Sequence, residues 1–428
     1  MPLPAATIEY TKAGAVADQA QLDEALAMLD REQATDVLVI SHGWNNDMPA
    51  ARRLYTRINE ALSALLPAST SARPVIIGIL WPSVRWADEE DIAGGGVSVS
   101  DPDAALSDAI DAAVDDEALA AALREVAGRL DSVDGRAEFV ELARALLDQP
   151  GALTDDEDGV PSALRSSDPD EVFAAVRDAS VGSQGAVETA PQEQDAAPGV
   201  APDLLATGGT TAGAGLFGQS WSSLARQVLN TFTYYTMKAR AGDVGSNGVA
   251  ALVDDINARP NAPRVHLAGH SFGARVVSAA ATAASTPIAS VTLLQGAFSH
   301  YGFTPNYADT GKDGVFRGAI TSGRIQGPLV ITHTHNDRAV HLAYAVASRL
   351  ARQTGAGLGD RSDLYGGIGA NGSVGTQATE LPMLDEDGSY TFGDGSIVNL
   401  LADEYVSGHS DVTNRAVVNA LAHAMRLR

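Results

Sequence analysis

The sequence predicts an α/β fold: a doubly wound, mostly parallel sheet carrying a large acidic helical insertion. Three observations predict it. Short runs rich in valine, isoleucine and leucine recur without the polar–apolar alternation of a half-exposed strand, as in strands buried on both faces. Helical patterns separate those runs, and strands alternating with helices build parallel sheets. Finally, residues 88–220 carry 29 acidic and 6 basic side chains, whereas the flanking parts are close to balance and the whole chain has a net charge of −25. Such asymmetry marks a separate unit.

Five runs read as strands. They are Asp36–Ser41, Pro74–Leu80, Arg264–Gly269, Ser290–Gly296 and Pro328–His333, each bounded by turn residues. Helical spacing of apolar residues appears at Gln19–Glu32, Ala50–Leu66, Gly248–Ala258, Ala274–Ala284, Ala339–Ala351 and Thr413–Leu427. Ligands of such sheets bind at the carboxyl ends of the strands. The core is therefore assigned to 1–87 and 221–428, with 88–220 inserted between two core elements.

Within the insertion, Asp101–Asp148 reads as two or three alanine-rich helices, and Asp168–Ala179 as another. Val181–Gly218 is rich in Gly, Ala, Thr, Pro and Gln and reads as a flexible return linker. Leu106, Ile110, Val114, Leu119, Leu123 and Val126 form an apolar stripe, which suits either the inner face of a lid or plain helix packing. Three roles stay open for the insertion: a solvated loop, a lid over the site, or a protein-docking surface. A glycine-rich stretch, Gly355–Gly395, reads as loose; its Gly366-Gly367-Ile368-Gly369 lacks the Lys-Ser/Thr of a phosphate loop.

Composition narrows the function classes. No cysteine is present, which removes disulfides, thiolate metal sites and a cysteine nucleophile, and suits a reducing cytosol. The acidic balance speaks against a nucleic-acid partner. No window reaches 18 uninterrupted apolar residues, so no transmembrane segment is expected, and the first residues lack the basic and apolar regions of a secretory signal. A cytoplasmic protein is the expectation. Oligomeric state is not legible.

The chemistry centres on Gly269-His270-Ser271-Phe272-Gly273, a Gly-x-Ser-x-Gly between an expected strand and an expected helix. A serine on so sharp a turn is held in strained geometry, and side chains two positions either side would collide, hence Gly269 and Gly273. The helix that follows directs its free N–H groups and positive dipole end at the site. A serine is a poor nucleophile without a base, and the base must itself be oriented. Asp337 follows the fifth strand and is the expected acid, though an aspartate there also suits a plain helix cap; Asp309 and Asp313 are rivals that follow no strand. His409, in a glycine-containing loop before the last helix, is the expected base, with His300 and His335 as rivals. His266 and His423 read as structural. For the oxyanion, one N–H is assigned to Phe272 and the other to Trp44, with Asn45 as the near alternative.

The His42-Gly43-Trp44 turn, the elbow at Ser271 and the late Asp337 and His409 resemble the α/β-hydrolase superfamily. Trp81-Pro82-Ser83 further resembles a branch of uncharacterised bacterial esterase- and lipase-like hydrolases. The resemblance covers about 1–87 and 221–428; the acidic insertion has no counterpart in it. It implies a triad of Ser271, Asp337 and His409 and no cofactor. A zinc site at His333, His335 and Asp337 is the competing reading of that segment. The function expected is a serine hydrolase cleaving carboxylic esters, acting on a small-molecule or lipid ester. A lipase, phospholipase or thioesterase with the insertion as lid is one alternative; a non-catalytic scaffold presenting the insertion to a partner is the other. Trp44, Trp81, Trp86, Phe272 and Phe298 either line an apolar pocket or belong to the core.

Overall fold

The computed structural model describes residues 2–44, 48–67, 70–83, 102–114, 116–148, 160–187, 220–337, 339–340 and 360–428. Its centre is one eight-stranded sheet in which every pairing is parallel. The strands are β1 (Ala5–Glu9), β2 (Asp36–Ser41), β3 (Pro74–Leu80), β4 (Arg264–His270), β5 (Ser290–Leu294), β6 (Leu329–His333), β7 (Thr379–Pro382) and β8 (Ile397–Leu401), in the spatial order β1-β3-β2-β4-β5-β6-β8-β7. The five expected strands are present nearly to the residue. β1, β7 and β8 are additional: β1 and β7 are edge strands, and β7 lies within the stretch read as loose.

The helices are α1 (Gln19–Arg31), α2 (Met48–Leu65), α3 (Pro102–Ala113), α4 (Glu117–Ala127), α5 (Val133–Arg144), α6 (Pro169–Val187), α7 (Trp221–Asp243), α8 (Ala250–Asn257), α9 (Phe272–Ala283), α10 (Arg317–Thr321), α11 (Ile368–Asn371) and α12 (Arg415–Ala424). Side-chain oxygens of Asp18, Asp116, Ser132, Ser220 and Asn414 cap α1, α4, α5, α7 and α12, each worth about 1 kcal/mol. α7 continues through a π-helical turn, Val244–Val249, into α8.

Strand residues alternate between two apolar layers. Val37, Val39, Val75, Ile77, Ile79, Val265 and Leu267 join α1, α7, α8 and α9 on one face. Leu38, Ile40, Ile76, Leu80 and Ala268 join α2 and α12 on the other. Both faces being covered explains why the strands read as unbroken apolar runs. β2 and β4 are neighbours, yet the chain leaves β2 through α2 on one face and β4 through α9 on the other. A crevice opens where successive connections diverge in this way, at the carboxyl ends of the two strands.

The helices expected within the insertion are present. Residues 102–148 form three helices and a closing 3-10 turn, and α6 runs on to Val187, past the end expected for it at Ala179. Residues 188–218 of the expected return linker lie outside the described residues, as do Trp86 and most of the helix expected at Ala339–Ala351. Leu106, Ile110, Val114, Leu123 and Val126 are buried in the same apolar cluster as the sheet. α7 makes this continuity: Trp221 packs edge-on against Phe173 and under the Arg136 guanidinium, 4.0 Å from the ring centroid, and Thr236 donates to the Leu146 carbonyl. Further along, Arg240 donates to the Pro82 carbonyl and Lys238 presents its carbonyl to Arg275 of α9. The stripe is therefore helix packing. No helix among the described residues is long and apolar enough to cross a membrane.

Candidate active site

Ser271 joins β4 to α9 with φ 56° and ψ −123°, a left-handed φ that a side chain rarely adopts. It stands where a helix N-cap stands, and a serine there ordinarily bonds the first turn of N–H groups. Its turned backbone prevents that: no side-chain cap bond forms, and the hydroxyl is left buried without a hydrogen-bond partner. Strain and an orphaned hydroxyl at one residue are what a functional site stores. The geometry needs both flanking glycines. A Cβ on Gly269 would lie 2.2 Å from the Gly273 carbonyl oxygen, and one on Gly273 would lie 2.2 Å from the Ser41 carbonyl oxygen.

The loop after β2 closes over this elbow. A Cβ on Gly43 would lie 2.6 Å from Ser271 Cβ and 3.1 Å from its Oγ. His42 is fixed from several sides. Its N–H donates to Tyr55 Oη, its carbonyl accepts from Trp81 Nε1, and its ring stacks on Trp81. The Trp81 N–H donates to His42 Nε2, so the ring proton sits on Nδ1 and bonds the Gly43 carbonyl. Burial pushes the Tyr55 hydroxyl well above its ordinary pKa, so it stays protonated and donates to Ile79. Trp44 stacks on Phe272, and Tyr234 of α7 packs against both rings. Phe272 opens α9, where N–H groups have no intrahelical acceptor. Asn45 lies outside the described residues.

Asp337 and His409 come together from the carboxyl ends of β6 and β8. His409 Nδ1 lies 2.8 Å from Asp337 Oδ2, both side chains being buried. Asp337 Oδ1 accepts from the Val340 N–H, so this carboxylate is a helix cap and a histidine partner at once. His409 Nε2 is buried without a partner, like the Ser271 hydroxyl, and the serine–histidine bond is open. Catalytic hydrogen bonds often tighten only once substrate is bound.

Two residues that sequence reasoning overlooked knit the Asp337 loop to the His409 loop. Asp403 accepts from Thr334 Oγ1 and the His335 N–H and pairs with the His335 ring at 2.8 Å. Burial pushes its carboxyl up, but the bonds from His335 and Thr334 outweigh burial and hold it below the ordinary range. Asn336 Nδ2 donates to the carbonyls of Asp403 and Val406. Nothing local in the sequence signals either residue.

The rival residues are engaged elsewhere. His335 is exposed and bound to Asp403. His300 is buried against the Asp363 carbonyl and Asn371, and burial lowers its pKa to about 3. Asp309 and Asp313 bond Asn306 in an exposed loop. His266 bridges Asp36 and Ser290 inside the sheet, and His423 packs on Tyr390. Trp81 and Phe298 are core residues, the latter among Phe303 and Phe316. Gly366–Gly369 serves as a backbone brace: His300 N–H donates to the Gly366 carbonyl and Ile368 N–H to Phe298. For the zinc alternative, His333 faces Glu380 at 3.8 Å while His335 and Asp337 take separate partners, and the described residues contain no cluster suited to a metal. A scan of protein-family models, a search of curated proteins and a search of solved structures each find no match to this chain.

Proposed function

We propose that this chain is a serine hydrolase of the α/β-hydrolase type that cleaves carboxylic esters through an acyl-enzyme. The observation that carries this reading is a strained serine with a free hydroxyl at a strand–helix turn, two strands from a buried Asp337–His409 pair. Ser271 Oγ attacks the acyl carbonyl carbon as His409 Nε2 takes its proton. Asp337 keeps the histidine proton on Nδ1 and stabilises the imidazolium. The Phe272 and Trp44 N–H groups hold the oxyanion, a donor of this kind contributing about 3 kcal/mol of transition-state stabilisation. Collapse breaks the bond to the alcohol, which leaves with the proton from His409. Water then attacks the acyl carbon with His409 again as base, and the acid departs as Ser271 recovers its proton.

No cofactor enters this chemistry. The Trp44, Phe272 and Tyr234 rings beside the nucleophile favour an apolar acyl or alkyl group, and Tyr234 belongs to α7, the helix on which the acidic bundle packs, which supports a lid role for the bundle. A chain without cysteine suits the cytosol, where we place it. Fluorophosphonate labelling of wild type beside Ser271→Ala tests the proposal. Labelling lost in the variant is the expected result. Equal labelling of both moves the nucleophile elsewhere, and none in either leaves a scaffold as the better description.

A further inference from the structure

The residue before the nucleophile has a partner at the far end of the chain. His270 is the last residue of β4, and its ring reaches the loop that carries His409: Nε2 lies 2.9 Å from the His409 carbonyl oxygen, and the two imidazole rings pack with centroids 4.9 Å apart. A carbonyl only accepts, so Nε2 carries the proton and donates. His270 Nδ1 then holds a lone pair, is buried and has no partner. The side chain is itself buried, as is the backbone behind it: Ser271 N–H donates to the Leu294 carbonyl and Ala297 N–H to the Ser271 carbonyl.

We infer that His270 is a positioning residue, a neutral donor that clamps the main chain of His409 so that its Nε2 faces Ser271 Oγ. The inference rests on the proposed hydrolase reading. The loop needs such a clamp. Asp337 fixes the Nδ1 edge of the base, which leaves the ring free to swing about that bond and carry Nε2 off line. A second anchor on the same residue's carbonyl, from the strand that carries the nucleophile, ties base to nucleophile directly. Misplacement by about 1 Å costs roughly a hundredfold in rate, so an anchor of this kind acts on kcat and not on binding. It must also stay neutral, because His409 becomes an imidazolium in each turnover and a second cation 4.9 Å away would oppose that charge. Burial, first, and then the His409 charge push His270 down to about 3, while Asp337 and the His409 carbonyl pull the other way and His42 adds a small downward push. The ring therefore never competes for the serine proton at neutral pH.

The test uses the full chain with His270→Phe, which keeps a ring and removes the donor, and His270→Gln, whose amide Nε2 can occupy the donor position. Two readouts are taken beside thermal melting. The first is turnover of a short-chain aryl ester across pH. Expected for His270→Phe is a fall in kcat of roughly 10- to 100-fold with KM changed less than about twofold, and a displaced acid limb of the pH–rate profile; His270→Gln should recover most of kcat and the wild-type limb. The second is the low-field NMR resonance of the His409 Nδ1 proton, expected in wild type and His270→Gln and lost or broadened in His270→Phe. Wild-type kcat and an unchanged resonance in a folded His270→Phe overturn the inference. So does equal impairment of both variants, which would show that restoring the donor does not restore the site. If wild type neither labels nor turns over ester, the hydrolase reading fails; the His409 resonance then still reports whether His270 orders that ring, and a resonance indifferent to both variants overturns the clamp separately.

Discussion

A single methyl group placed on Gly43 should disable the site while leaving the protein folded. The ideal Cβ lies 2.6 Å from Ser271 Cβ and 3.1 Å from its Oγ. Carbon–carbon contacts settle near 3.5–4.0 Å, so the loop and the elbow must separate by about 1 Å. Neither side yields readily. The loop is held by Tyr55, Trp81 and the His42 ring, and the elbow by the Leu294 carbonyl and the Ala297 N–H. Overpacking of this size destabilises by about 1–3 kcal/mol. In the proposed mechanism, a displacement of about 1 Å between Ser271 and the loop after β2 costs roughly a hundredfold in rate, or about 2.7 kcal/mol of barrier. The assay is the second-order rate of fluorophosphonate labelling, followed with a thermal melt. Gly43→Ala should melt a few degrees lower and label about a hundredfold more slowly. Gly128→Ala is the control: its nearest contact would be 3.7 Å, and both readouts should match wild type. Wild-type labelling by a folded Gly43→Ala would refute the placement of this loop over Ser271.

Other perturbations probe other links. Asp337→Asn keeps an oxygen for the Val340 N–H but favours the wrong His409 tautomer; kcat should fall by about 10⁴ with little change in melting temperature, and activity within tenfold of wild type would remove Asp337 from the site. Acid should destabilise the fold. His270 and His266 are held below their ordinary 6.5, and Asp36 below 3.8. Depressed groups bind fewer protons folded than unfolded, so their stabilisation is complete above the unfolded pKa and drains as pH falls towards the folded one. His270 alone should contribute a slope of about 1.4 kcal/mol per pH unit between pH 6.5 and about 3, visible in urea midpoints; a flat midpoint across that window, or a slope unchanged in His270→Phe, would contradict its burial as a neutral ring. Phe173→Ala removes a ring packed between Phe139 and Trp221 and should cost about 3–5 kcal/mol. Because the bundle shares its apolar cluster with the sheet, one calorimetric transition should move as a whole; a separate early transition for the bundle would show two independent units.

Much of the site was legible because its signals are local. The Gly-x-Ser-x-Gly spacing is itself a local signal: a Cβ on Gly269 would meet the Gly273 carbonyl oxygen within the same five residues, although the approach that requires Gly273 is to the distant Ser41 carbonyl of β2. Asp337 and His409 were placed by their order after strands, which names candidates but supplies no contact. α7 went unread because it is buried nearly all round: Gln227, Thr231, Thr233 and Lys238 are as enclosed as Leu224, Val228 and Phe232, so no polar face produces a helical period. β7, with its exposed Thr379 and Glu380 and a proline at its end, carries no apolar signal and is a strand because β8 offers it a ladder.

The sequence by itself determined the strand cores, the elbow and the segregation of acidic charge, because residue type governs backbone preference and burial period over a few positions. Only the tertiary structure decided three things: that Asp337 caps a helix with one oxygen and holds His409 with the other, that His270 reaches a carbonyl 139 residues away, and that the acidic bundle shares the core of the sheet. Each depends on strand order and helix placement. Those bring together groups whose separation along the chain carries no trace in local composition, and the contact exists only once the sheet has assembled its carboxyl ends side by side.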